Sequence, residues 1–268
     1  MTLEKHLETK ADKALKAAAV FWFFVAVIGQ WLFVYYIAVH YGGGIAQGDF
    51  EAWKNTSIKG HVDGDISGNF FFITHVLMAA IITFGGTLQL VPQIRERAIN
   101  FHRWNGRLFI LMAFVMSLGG LYLVWVRGAV LAVIGGVGTS LNAILIMIFA
   151  FMAVQKARKY DLSAHRRWAL RTFLMVNGVW FFRVGFMAWI LINQAPVGST
   201  ENPDGPFDII WAFANFLLPL AVLEIYFYTQ KDAGSVGKFV MAAGLFTLSL
   251  LMAVGIFGAY LMMWSPNF

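Results

Sequence analysis

The sequence predicts an all-α integral membrane protein with seven transmembrane helices, and three observations predict it. The chain is 59% hydrophobic with a mean hydropathy of +0.68 and is only 13% charged, whereas a soluble domain is about 45–50% apolar and about 25% charged. Its apolar residues gather in seven runs of spanning length, roughly 17–25 residues. The runs show no period-two alternation, and a barrel strand is only about 9–11 residues long, so strands are not expected.

The runs are about 17–41, 69–91, 108–126, 130–154, 169–193, 209–228 and 239–263. The first follows sixteen charged and polar residues. It is too long for a signal-peptide core and is expected to stay as an uncleaved span. A polar, glycine-rich loop, roughly 42–68, leads to the second run, and an irregular Gly/Pro/Asn-rich loop, about 194–207, leads to the sixth. The seventh run carries only Thr247 and Ser249 as polar groups and is expected to be peripheral. The whole, 1–268, reads as a single membrane domain.

Basic residues set the orientation. With the N-terminus inside, inner segments hold 16 of the 20 Lys and Arg, outer segments hold Lys54, Lys59 and Arg127, and Arg183 lies within a span. The expected topology is N-in, C-out. Trp104, Trp125, Trp168, Trp189, Trp211 and Trp264 fall near span ends as an aromatic belt. The formal charge of +6 is thereby read as topology and contact with anionic lipid headgroups of the bilayer, with no nucleic acid expected. The protein partners are left open. Cysteine is absent, which excludes disulfides, iron–sulfur clusters and thiolate zinc.

One pattern occurs twice. Val91, Arg95, Asn100, His102 and Arg103 match Val154, Arg158, Ser163, His165 and Arg166 at a constant offset of 63 residues. Each copy joins two apolar runs, so the predicted architecture is a parallel two-hairpin repeat, units about 69–126 and 130–193, forming a helical bundle core. Asn100 and Ser163 read as helix caps two places before each histidine. A helix first turn flanked by Arg103, Arg107, Arg166, Arg167 and Arg171 is an anion or lipid-headgroup site. His102 and His165 fit either a folded corner or a paired cofactor or metal site.

Arg183 is the costliest residue in the chain. It lies about ten residues from the outer end of its span, about 15 Å deep at a rise of 1.5 Å per residue, and arginine stays charged in a protein. It either pairs with Glu224 and backbone carbonyls or holds an anion, such as a haem propionate, a quinone oxygen, a lipid phosphate or a substrate carboxylate. His75, about 9 Å below the outer surface by the same rise, is either a core histidine or a haem ligand or proton relay. Its one candidate partner for a bis-histidine haem is His40. Asn142, Asn215 and Glu224 are further polar groups that would line a cavity with Arg183 and His75. No Walker loop, nucleophile elbow, H-E-x-x-H or Ser-His-Asp pattern is present.

The stretch His75…Pro92-Gln93-Ile94-Arg95-Glu96-Arg97…His102-Arg103-Trp104-Asn105-Gly106-Arg107, then Ala164-His165-Arg166-Arg167-Trp168-Ala169-Leu170-Arg171, then Arg183, resembles the bacterial multi-pass membrane family known as domain of unknown function 2306. The resemblance covers roughly residues 70–190. It implies a multi-helix protein of the bacterial inner (cytoplasmic) membrane and carries no activity. A fold-level analogy to membrane b-type cytochromes is weaker, because histidine pairs one above the other within two helices are missing here. Three functions follow as expectations: a redox protein binding haem b or a quinone, a transporter or lipid- and anion-binding protein, and an accessory subunit without chemistry.

Overall fold

The computed structural model describes residues 3–56 and 59–267, and among these it contains helices and no strand. The helices are α1 (Leu3–Tyr36), α2 (Gly43–Gln47), α3 (Glu51–Thr56), α4 (Ile66–Gln89), α5 (Pro92–Arg97), α6 (Ile99–Trp125), α7 (Val133–Arg158), α8 (Leu162–Val176), α9 (Gly178–Asn193), α10 (Pro206–Asp232) and α11 (Ser235–Ala259). A π-helical segment, Ile37–Gly42, joins α1 to α2, and a second, Tyr260–Trp264, extends α11. Six helices are long and apolar enough to cross a membrane, and α8 with α9, bent by 57° at the break between them, make a seventh if the pair is taken as one span. The helices overrun the apolar runs because polar residues cap them. Asp65 Oδ1 accepts from the Gly68 N–H at 2.8 Å at the start of α4, and Asp208 Oδ2 accepts from the Gly205 N–H at 3.1 Å at the start of α10.

Neighbouring spans close a ring: α1 packs on α11, α11 on α9, α9 on α10, α10 on α7, α7 on α6, α6 on α4, and α4 on α1. Glycines set the closest approaches. A Cβ at Gly138 on α7 would stand 2.3 Å from the Ala212 carbonyl oxygen of α10, and one at Gly255 on α11 would stand 2.1 Å from that of Val184 on α9. Hydrophobic driving force between helices is weak in lipid, so such small-residue contacts do much of the packing. The seventh span is therefore only half peripheral. One face carries exposed Val240, Val254 and Phe257, while the other buries Ala242, Leu245, Ser249, Met252, Ile256 and Ala259.

The two ends of the ring differ. The corners bearing His102 and His165 lie at one end, called the corner end. The segment between α2 and α4 lies at the other, the loop end. That segment folds onto the bundle. Trp53 is buried against Tyr41 and Phe72. Lys59 Nζ donates to the Arg127 carbonyl at 2.7 Å, and Arg127 reaches Asp65 at 3.1 Å and Asn69 at 2.7 Å. The largest buried cluster is at this end and includes Phe33, Tyr36, Tyr41, Phe72, Trp180, Met187 and Trp264. Trp264 thus departs from the aromatic belt. The π turn at the end of α11 swings it inward to 1% exposure, whereas Trp104 and Trp125 remain exposed.

Candidate functional site: an interior arginine beside a broken span

The fifth apolar run, about 169–193, falls on α8 and α9 together. It breaks at Asn177-Gly178. A helix end exposes carbonyls that water cannot satisfy inside a bilayer, and two asparagines answer them. Asn177 Nδ2 donates to the Phe173 carbonyl at 2.8 Å, and Asn142 Nδ2, from α7, donates to that of Met175 at 3.1 Å. Gly178 leaves room for Asn142, whose Nδ2 lies 2.6 Å from where a Cβ would stand. Asn142 therefore braces the break, rather than simply lining a cavity as its depth suggested. Asn215 serves its own helix, donating to the Trp211 and Ala212 carbonyls at 2.6 and 3.1 Å.

Beyond the break, α9 packs on α11 and α10 and meets α1 through two side chains. Trp180 and Arg183 sit one turn apart on α9, facing Gly29 and Phe33 on α1. The Trp180 ring fills the notch left by Gly29, 2.8 Å from a Cβ placed there, and the Arg183 guanidinium lies 5.5 Å over the Phe33 ring. The π segment at the end of α1 buries Ile37, His40 and Tyr41, with Tyr36 just before it. Tyr36 and Tyr41 come within electrostatic range of Arg183.

Arg183 makes one hydrogen bond among the described residues, from Nη1 to the Val179 carbonyl at 3.2 Å, and no described carboxylate stands within ion-pair distance of it. The expected pairing with Glu224 does not form. Glu224 is held by Arg171, Nε to Oε1 at 2.6 Å and Nη2 to Oε2 at 2.8 Å. The reason is position: α8 presents Arg171 to α10 at the level of Glu224, whereas Arg183 lies beyond the break. Glu224 is thus not a cavity residue, and Arg171 is not a free anion site. Arg183 is only partly buried despite its depth, and Val179 and Phe182 beside it are exposed. The guanidinium itself is enclosed, while the residues beside it reach the surface.

His75 lies against the Gly119-Gly120 step of α6. Its Cε1 is 3.5 Å from a Cβ placed on Gly120, and its Nδ1 is closed off without a hydrogen-bond partner. His40 does not face it as a second ligand. The His40 ring stacks on Tyr36 at 5.4 Å, meets Tyr41 edge-on at 4.7 Å, and bonds the Asn267 backbone.

At the corner end, His102 and His165 each occupy the fourth residue of their helix, α6 and α8. The caps stand earlier than expected. They are Ala98, which offers no side-chain cap, and Asp161, which offers Oδ1 to the Ala164 N–H at 3.1 Å, rather than Asn100 and Ser163. That carboxylate takes the place an anion would need at α8. The His165 ring secures its corner, Nδ1 bonding the Ala153 carbonyl at 2.9 Å, whereas at the other corner Gln89 Nε2 donates to the His102 backbone carbonyl at 3.0 Å and the His102 Nδ1 is buried without a partner. Each lies within electrostatic range of the other, with Arg95 beside His102. No group of three His, Cys, Asp or Glu side chains gathers at metal-binding spacing among the described residues. Arg103, Arg107, Arg166 and Arg167 are exposed. Arg107 lies over Trp104 at 4.8 Å, Arg171 over Trp168 at 4.5 Å, and Arg167 over Phe227 at 5.1 Å.

The Arg171–Glu224 pair should contribute little. Its carboxylate is 45% exposed, and such pairs are worth up to about 1 kcal/mol. Thermal unfolding should show equal small losses for Arg171→Gln and Glu224→Gln and no further loss in the double variant. A loss in the double variant equal to the sum would show that the two side chains act separately.

Sequence reasoning passed over Gln30, Phe33, Tyr36, Tyr41 and Trp180. Gln30 had a usable signal, a lone amide within an apolar run. The aromatic residues had none, since aromatics are common in spans.

Comparison with known proteins bears out the resemblance over the part it covers. Residues 72–201 match the family described as "Predicted membrane protein (DUF2306)". The matched stretch holds His75, both corners, Trp180 and Arg183, while α1, α10 and α11 lie outside it. No curated protein and no solved structure matches.

Proposed function

We propose that this membrane protein binds the anionic head of a membrane-dissolved amphiphile, a carboxylate or a phosphate, at Arg183. The observation that carries this reading is a protein-embedded guanidinium with a single backbone acceptor and no described carboxylate near it. Desolvating a charge without a partner is costly. A ligand oxyanion would offset that cost, and the N-terminus of α9 at Gly178 adds a favourable dipole. The exposed Val179 and Phe182 give an apolar tail a way in from the side. The exposed arginines at the corner end fit phospholipid headgroups, in keeping with that end facing the cytoplasm of a bacterial inner membrane and with a two-hairpin repeat.

A redox reading, with a quinone or haem b, rests on His75 alone. Its Nδ1 is shielded, so Nε2 is the nitrogen left to meet a ligand. A quinone oxygen needs one such donor together with Arg183, while bis-histidine haem needs a second imidazole that His40 does not supply.

One preparation tests both readings. Detergent-purified protein is examined by visible spectroscopy, oxidised and then dithionite-reduced, and its organic extract is examined by mass spectrometry. The expected result is a colourless protein carrying a stoichiometric acidic lipid. Sharp reduced haem bands, or an extract with a quinone and no acid, would replace the anion reading with the redox one.

A further inference from the structure

Gln30 is fully buried in the last two turns of α1, and both its Nε2 and its Oε1 lack a hydrogen-bond partner. Buried amides are almost always satisfied, so a side chain with no protein partner on either atom calls for a partner from outside the chain, a water or a ligand. Its place in the fold shows where. Gln30 shares one buried stripe of α1 with Ala26, Phe33 and Ile37, at helical spacings of four, three and seven. Its neighbour Gly29 receives the Trp180 ring, and Phe33, one turn on, lies beneath Arg183. Gln30 therefore lies along α1 between Gly29 and Phe33, the residues that meet Trp180 and Arg183. Trp180 adds a third group, since its indole Nε1 is also buried without a partner.

We infer that Gln30 and Trp180 belong to the Arg183 site and restrict its ligand to anions that carry a hydrogen-bond donor beside the charged group, such as a hydroxy acid. The inference rests on the anion reading of Arg183 and narrows it. Arg183, Trp180 Nε1 and Gln30 Nε2 are all donors, and they suit the oxygens of a carboxylate. Gln30 Oε1 is an acceptor only. A plain carboxylate leaves it unpaired in an apolar interior, whereas a hydroxyl next to the carboxylate satisfies it. Sites built around a buried polar group discriminate strongly against a ligand that leaves the group unmatched.

The test uses the full-length protein in detergent and two families of radiolabelled probe, hexadecanoate and its 2- and 3-hydroxy derivatives. Wild-type protein should bind at least one hydroxy acid about three- to tenfold more tightly than hexadecanoate, the range one hydrogen bond supplies. Gln30→Leu should bring that ratio to about one. Trp180→Phe keeps the ring in the Gly29 notch and should weaken all the acids alike, leaving the ratio unchanged. Equal binding of the acids by wild type, or a preference that survives in Gln30→Leu, would overturn the inference while leaving the anion site standing. If wild type bound none of the acids, the inference would fall, and the co-purified lipid would decide separately whether Arg183 holds a phosphate instead.

Discussion

Arg183→Gln should lower affinity for the bound amphiphile by about 30- to 4,000-fold and, in the ligand-free protein, leave stability unchanged or raised. The first effect follows from truncating one partner of a desolvated charge pair, which costs about 2–5 kcal/mol, at about 1.4 kcal/mol per tenfold. The second follows from removing a cation that has no described carboxylate beside it. A central arginine costs about 2.5–3.5 kcal/mol on insertion scales, and glutamine keeps the means to donate to the Val179 carbonyl without that charge. At about 2–4 °C per kcal/mol for a chain of this size, the delipidated variant should melt at or a few degrees above wild type. The opposite signs make the experiment decisive. An arginine that only braces the fold would show the reverse, a destabilised empty protein with ligand retention unchanged. Measuring thermal unfolding and co-purified lipid on the same samples separates the cases.

The membrane class and the number of spans could be read from length and hydropathy, because a bilayer imposes both. Pairing could not, and Arg183 shows why. Its depth was estimated by counting residues along a straight span at a fixed rise, and Glu224 emerged as the nearest acid. The 57° break at Asn177-Gly178 turns α9 away from that straight path, and Arg171, on the near side of the break, takes the carboxylate. Asn-Gly was visible in the sequence but reads equally as a packing pair. What made it a break was Asn142, thirty-five residues earlier, reaching the Met175 carbonyl, a contact that only tertiary structure supplies. The two π segments were equally hidden, and they place Tyr36, Tyr41 and Trp264 inside. The corners lie between these extremes. His102 and His165 do fall at equivalent helix positions, as the spacing of 63 suggested, yet the capping residue stood elsewhere because a single aspartate outcompetes a serine two places later.

The site depends on a span that touches no ligand, and this dependence gives the second large effect. Gly255→Leu on α11 should lower the melting temperature by about 5–10 °C and abolish amphiphile retention. A Cβ at Gly255 would stand 2.1 Å from the Val184 carbonyl oxygen. That obstacle is backbone and cannot rotate aside, so α9 and α11 must separate. Overpacking costs about 1–3 kcal/mol or more, which sets the expected fall. Val184 is the residue after Arg183, so separation also carries the guanidinium off Phe33 and opens the seam where Trp180 fills the Gly29 notch. Gly244→Leu, on the same helix, is the control, because nothing lies within 4 Å of a Cβ there. Losing a helical glycine is favourable by about 1 kcal/mol, so this variant should melt at or above wild type and keep its ligand. Equal melting of the two variants would show that α9 and α11 do not approach this closely. If Gly255→Leu melted low yet held its amphiphile with full affinity, the binding site would have to lie away from the α1–α9 seam.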